Sequence, residues 1–167
     1  DLVSSSSGTS SGPVDFIKVY DAATEYVKQG GKRRGANMGI LNVNHPDIEA
    51  FITSKSSENA IENFNISVGI SDDFMVAVEQ DLNWNLINPR TKKNTKVLKA
   101  KEIWQLLVNE AWKTGDPGLI FMDTINSQNP TAKMGRIEST NPCGEVPLLN
   151  YESCILGSIN LSKMIVR

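Results

Sequence analysis

The sequence predicts an α/β domain, on three observations: strand-like and helical segments alternate, polar punctuation separates them, and regularity fades after Ile125. With 167 residues and 40% hydrophobic content, the chain has the size of one ordinary globular domain and enough apolar material for a core. The alternation leaves open whether the sheet is open or closed.

Residues 1–12, Asp-Leu-Val-Ser-Ser-Ser-Ser-Gly-Thr-Ser-Ser-Gly, offer little to a core and read as loop or linker. From Pro13, Phe16, Val19, Tyr20, Ala23 and Val27 recur at helical spacing, Pro13 suits a first turn, and Gly30-Gly31 ends the run. A basic stretch, Lys32-Arg33-Arg34, then leads through Gly35 to Met38 into a strand-like run at 39–43. Asn44 is expected to cap a short helix with Pro46 in its first turn and Ile48, Phe51 and Ile52 facing inward, while His45 is expected to stabilise that helix start. Residues 64–70, Phe-Asn-Ile-Ser-Val-Gly-Ile, alternate as a half-buried strand does, and Ser71-Asp72-Asp73 caps a helix bearing Phe74, Met75 and Val78. Two short strands, 84–87 and 96–98, flank the polar turn 88–94, an exposed hairpin with a solvated charge run. A strong helix over 100–114 puts Ile103, Trp104, Leu107, Val108 and Ala111 on one face, and Gly115-Asp116-Pro117-Gly118 stops it before a strand at 119–122. Trp104, Trp112 and Met75 are expected in the core.

Charge and composition exclude several function classes. The 19 acidic and 17 basic residues nearly cancel, so no broad field recruits nucleic acid or an anionic membrane. No apolar run reaches the roughly 18 residues of a membrane span, and the expected compartment is the cytoplasm. Two cysteines make no disulfide framework and read as free, catalytic or redox-active thiols. One histidine argues against a His-built metal centre, and no metal site is expected.

From Asn126 to Ser158 the chain is rich in Pro, Gly, Asn, Ser and Thr, and a long irregular segment of this kind is more often functional than accidental. It contains Glu138-Ser139-Thr140-Asn141-Pro142-Cys143-Gly144-Glu145-Val146-Pro147. Pro142 restricts the backbone before the cysteine and Gly144 frees it afterwards, which suits a thiol at the tip of a tight loop. In an extended tip, Asn141 and Glu145 project on the same side as the sulfur, so an amide, a thiol and a carboxylate converge on one ligand. The alternative is an ordinary turn around a buried, inert cysteine.

Asn-Pro-Cys-Gly-Glu, preceded by Ser-Thr and followed eleven residues after Cys143 by Cys154 in Ser-Cys-Ile-Leu-Gly-Ser-Ile-Asn-Leu, resembles the finger loop of ribonucleotide reductases, most of all the adenosylcobalamin-dependent class II. Ser-Gly-Pro-Val-Asp-Phe at 11–16, Lys-Gln-Gly-Gly-Lys-Arg-Arg-Gly-Ala-Asn-Met-Gly at 28–39 and Gly-Asp-Pro-Gly-Leu-Ile-Phe at 115–121 occur in the family's order. Essentially the whole chain is covered.

The resemblance implies part of a ten-stranded α/β barrel with a cysteine-bearing finger loop, here at about 138–158, and effector loops within about 1–38. It implies ribonucleoside-diphosphate reduction by thiyl-radical chemistry. Cys143 matches the radical-bearing thiol, Glu145 the base for the 3'-hydroxyl and Asn141 the amide that holds the sugar hydroxyls; residues 141–145 together form the substrate-binding tip. Cys154 matches one member of the reducing dithiol, regenerated by a thioredoxin-like protein. Lys32, Arg33 and Arg34 fall in the loop that relays the identity of a nucleoside triphosphate effector, against a solvated basic turn on composition alone. The complete enzyme is implied to be a homodimer. The second redox cysteine and the remaining barrel strands are missing from this sequence, so the chain alone is expected to be inactive. Ile155 stands where the family pattern has Asn. Rival readings are a class I catalytic subunit, a non-catalytic nucleotide-binding remnant, and a thiol-redox module, the last disfavoured by the absence of Cys-x-x-Cys spacing.

Overall fold

A computed structural model of the chain describes residues 11–27, 35–57 and 60–165. Strand β2 (Phe64–Ile70) explains the layering. Its even-numbered residues Phe64, Ile66, Val68 and Ile70 are 6%, 1%, 0% and 1% exposed and pack into one apolar cluster. Its odd-numbered residues Asn65, Ser67 and Gly69 lie on the opposite face, because side chains alternate along a strand. The alternation was legible in sequence, but the strand is almost wholly buried instead of half-buried: helices cover one face and the later irregular segment covers part of the other.

β1 (Asn37–Asn42) and β5 (Gly118–Phe121) flank β2 in a parallel sheet of order β1-β2-β5. The register pairs Met38 with Asn65, Ile40 with Ser67 and Asn42 with Gly69, and it pairs Gly118 with Ser67 and Ile120 with Gly69. Gly69 sits at a close approach, since a Cβ there would lie 2.5 Å from the Asn42 Oδ1 and 3.2 Å from the Met122 Cγ, and the Asn42 side chain would have to turn away. The described residues form no closed barrel; the strands are one parallel three-stranded sheet and two antiparallel pairs.

The apolar face is covered by α2 (Ile48–Ile52), α3 (Asp72–Glu79) and α4 (Ala100–Thr114). Ile48, Phe51, Ile52, Phe74, Ile103 and Leu107 are each at most 2% exposed, and full burial of such a side chain stabilises by about 1.5–3 kcal/mol. The Ser71 side chain accepts from the Phe74 N–H as the expected cap of α3, and Gly115 ends α4 in the left-handed conformation. α2 differs from expectation. It begins at Ile48, after a turn, and has no side-chain cap from Asn44; instead the Asp47 N–H donates to the His45 Nδ1 at 3.1 Å. The hairpin β3 (Asn83–Ile87) and β4 (Asn94–Lys99) forms as expected, its Trp84 ring edge-on to Phe74 at 5.1 Å.

Side chains of α4, α3 and α1 overturn the burial expectation. In α4, Val108 and Trp112 are 45% and 86% exposed, because no described element lies over that side of the helix, while Trp104 and, in α3, Met75 are only partly buried against the core. In α1 (Pro13–Tyr26), the periodic residues Phe16, Val19 and Tyr20 are more than 60% exposed, while Val14 and Ile17 meet the core instead. Polar contacts hold that inward side: the Asn63 N–H donates to the Asp21 carboxylate at 2.8 Å, and Asn37 donates to the Thr24 hydroxyl at 2.7 Å.

The amino end of β2 is pinned by the motif that stops α4. The Lys55 ammonium donates to the Phe64 carbonyl and to the Asp116 carboxylate, the latter at 2.8 Å, and Asp116 also accepts from the Ile66 N–H. With side chains only 14% and 23% exposed, this ion pair is sheltered from the screening that weakens surface pairs. Nearby, buried Glu110 of α4 accepts from Lys113 and Ser56, and these bonds, Lys113 foremost, hold its carboxyl below the usual carboxylate range.

Candidate functional site: a finger across the polar sheet face

After β5 the chain makes one short helix, α5 (Met122–Ser127), and then returns along the polar face of the sheet as the finger. The root of the finger is tied to α5. The Asn126 side chain accepts from the Ile137 N–H at 2.9 Å and donates to the Ile137 carbonyl at 3.0 Å, reproducing with one amide the two bonds of a strand pair. Arg136 pairs with Asp123 at 2.9 Å, and Asp123 also accepts from the Asp72 N–H at the start of α3. The Asp72 bond and then Arg136 hold the Asp123 carboxyl below its ordinary range. A cavity of about 290 Å³ lies at this root, lined by Ile40, Asn42, Met122, Arg136 and Glu138.

From the root the finger rises as β6 (Ser139–Thr140) and descends as β7 (Pro147–Leu148), an antiparallel pair. The tip is the tight loop expected from sequence, closed as a turn and not extended. The Gly144 N–H donates to the Asn141 carbonyl at 2.9 Å, placing Pro142 and Cys143 at its two central positions, and Gly144 has a φ of 82°, which glycine adopts without strain. The Asn141 Oδ1 accepts from the Val146 N–H at 3.0 Å, so this side chain braces the loop and has its NH₂ group left to offer a ligand. Thr140, 5% exposed, donates to the Asn141 carbonyl at 2.9 Å. From the sheet, Asn65 donates to the Pro142 carbonyl at 2.6 Å across 77 residues of sequence.

Cys143 and Glu145 are both exposed at this tip, so the described residues do not bury the cysteine. Cys154 is also a free, exposed thiol and is not bonded to Cys143. It lies in a stretch, 152–160, without helix or strand, where Ile155 and Leu156 are 95% and 86% exposed. Lys32, Arg33 and Arg34, with most of the first glycine-rich loop, lie outside the described residues. Among the described residues no group of three or more His, Cys, Asp or Glu is placed to hold a metal, and no helix is long and apolar enough to cross a membrane.

Sequence reading missed Asn65, Asn126 and the Asp123–Arg136 pair. Asn65 carries one weak signal, a polar amide in the only exposed position of an otherwise buried strand.

The family model described as "Ribonucleotide reductase, barrel domain" matches residues 1–167. The chain belongs to the ribonucleotide reductase barrel-domain family. Within it, the chain is 62% identical over 167 residues to the vitamin B12-dependent ribonucleoside-diphosphate reductase of Thermoplasma acidophilum, covering 99% of this chain and 22% of that protein. It is 52% identical over 166 residues to the protein of the same name from Mycobacterium tuberculosis, covering 99% and 24%. A vitamin B12-dependent ribonucleotide reductase of Streptomyces coelicolor is 36% identical over 185 residues, covering 96% and 19%. The chain thus spans about a fifth to a quarter of the length of these relatives.

Proposed function

We propose that the chain is the finger-bearing part of an adenosylcobalamin-dependent, class II ribonucleoside-diphosphate reductase, whose full-length form reduces ribonucleotides to deoxyribonucleotides. One observation carries the reading: an exposed thiol and an exposed carboxylate two residues apart, on a turn braced from the sheet by Asn65 and from within by Asn141. High identity to proteins named as vitamin B12-dependent supports the class.

The donor set fits that cofactor's chemistry, since a thiol that gives up a hydrogen atom must be accessible, and Cys143 is. When bound, adenosylcobalamin supplies the one-electron oxidation that removes this hydrogen. The Cys143 sulfur then takes the ribose 3'-hydrogen atom, because its S–H bond is comparable in strength to that C–H bond. Glu145 accepts the 3'-hydroxyl proton as a general base, the Asn141 amide holds the sugar hydroxyls, and residues 141–145 form the floor beneath the ribose. The 2'-hydroxyl takes a proton from the reducing dithiol and leaves as water, and Glu145 returns its proton to the 3'-oxygen as the deoxyribose forms. Two electrons come from a dithiol, Cys154 with a cysteine outside this chain, which becomes a disulfide as Cys143 returns its hydrogen atom to C3'. A thioredoxin-like protein reduces that disulfide by thiol exchange.

Lys32, Arg33 and Arg34 serve in the loop that senses a nucleoside triphosphate effector, and that loop leads directly into β1. Homodimerisation of the full-length protein belongs to the same reading. The test is Cys143→Ser in the full-length protein. Reduction is abolished and effector binding is kept, since a hydroxyl hydrogen is bound too strongly for exchange with ribose. Deoxynucleotide formation by that variant removes Cys143 from the radical role.

A further inference from the structure

We propose that Asn65 is a positioning residue that sets the direction of the Cys143 sulfur by locking the central peptide of the finger-tip turn. This rests on the reading of Cys143 as the radical-bearing thiol. In the turn Asn141–Gly144, closed by the 2.9 Å bond from the Gly144 N–H to the Asn141 carbonyl, the pyrrolidine ring of Pro142 fixes its own φ. The main freedom left ahead of the cysteine is rotation of the Pro142–Cys143 peptide, the rotation that separates type I from type II turns. That peptide is planar, so the Pro142 oxygen and the Cys143 N and Cα move as one body. Asn65 holds this body by its oxygen at 2.6 Å. A flip breaks the bond, drives Cys143 towards positive φ, where a residue with a Cβ is strained, and reorients the Cα–Cβ bond that carries the sulfur.

The anchor is itself rigid. Asn65 stands between Phe64, whose carbonyl accepts from Lys55, and Ile66, whose N–H donates to Asp116, and the Lys55–Asp116 ion pair joins these two clamps. On the other side it pairs in register with Met38 of β1. A reacting group held on such a supported strand keeps its geometry far better than one on a free loop. No other hydrogen bond in the described structure reaches the Pro142 carbonyl from the sheet.

The experiment uses the full-length protein with Asn65→Leu, which keeps the shape and removes the donor, and Asn65→Asp, which donates only when protonated. Asn65→Leu is expected to lower kcat at least about tenfold while KM and effector affinity stay within about twofold, because misplacing a reacting atom by about an ångström costs more than the lost bond itself. In Asn65→Asp, kcat relative to the parent rises as pH falls through the carboxyl titration, whereas the Leu variant stays flat. Amide exchange at Gly144 reports whether the turn still closes, and the alkylation rate of Cys143 reports its changed presentation without any turnover. Unchanged kcat in Asn65→Leu, or an Asp variant with no pH dependence, overturns the proposal. If Cys143→Ser is inactive but Asn65→Leu is not, Asn65 alone is refuted; if Cys143→Ser is active, the underlying reading fails.

Discussion

Replacing Asn126 by alanine is expected to free the root of the finger without touching its tip. The side chain makes two bonds to the Ile137 backbone, at 2.9 and 3.0 Å, and a third to the Met122 carbonyl at 2.8 Å within α5. Each such bond contributes a net of about 0.5–1.5 kcal/mol, so the two that cross to the finger are together worth about 2 kcal/mol. Ile137 is only 7% exposed, so water replaces the lost partners poorly and the cost moves to the upper part of that range. Because about 1.4 kcal/mol is a factor of ten, opening of the root becomes about 30-fold more frequent at the middle of the range and about 100-fold at its upper part. The neighbouring Arg136–Asp123 pair bounds the comparison. Its side chains are 59% and 37% exposed, and a surface pair of this kind contributes about 0–1 kcal/mol. Arg136→Ala therefore accelerates opening several-fold less than Asn126→Ala. The assay is hydrogen exchange at the Ile137 amide, which donates to Asn126 and no longer has that acceptor in the variant. An Ile137 amide that exchanges at the parent rate in Asn126→Ala, or an Arg136→Ala variant that opens as readily, refutes the assignment of the finger root to Asn126.

Two further outcomes are expected. Burial holds the pKa of His45 below its usual value, with Asp47 opposing the shift only in part. The unfolded chain then binds the proton more tightly, so His45 contributes stability fully present above its ordinary pKa and lost as pH falls from there towards the lowered folded value. Urea unfolding should show a midpoint that declines on the acid side of about pH 6.5, and His45→Asn, which retains an acceptor for the Asp47 N–H, should remove part of that slope; an unaltered slope assigns it to other groups. Alanine at Lys32, Arg33 and Arg34 together should change which substrate each effector favours more than it changes the maximal rate, since coupling between two sites is a difference in binding free energies. Assay of several substrates under several effectors in the full-length protein decides this, and unchanged selectivity returns the stretch to a solvated basic turn.

Local chemistry determined much of this protein from sequence alone. The Ser71 cap, the Gly115 stop, the extent of α4 with Ile103 and Leu107 inward, and the alternation of β2 each depend on residues within a turn or two of one another, and each formed where the pattern placed it; Val108, expected on the same face, is exposed. The motifs at 11–16, 28–39, 115–121 and 138–145, with Cys154 after them, pointed to the family in the same way, because their order along the chain carries the resemblance, and the family model matches the whole length. Tertiary structure decided which apolar stripe is covered. Periodicity in α1 shows that Phe16, Val19 and Tyr20 share a face, but the polar staples from Asn37 and Asn63 turn the other side, with Val14 and Ile17, towards the core. It also exposed Trp112, where no described element lies over the end of α4. The polar face of the sheet was equally hidden, since Asn65 meets Pro142 across 77 residues and no local pattern encodes such a partner. Side-chain type and spacing are properties of a segment, whereas covering a face or satisfying a distant carbonyl depends on the neighbour that the fold brings to it.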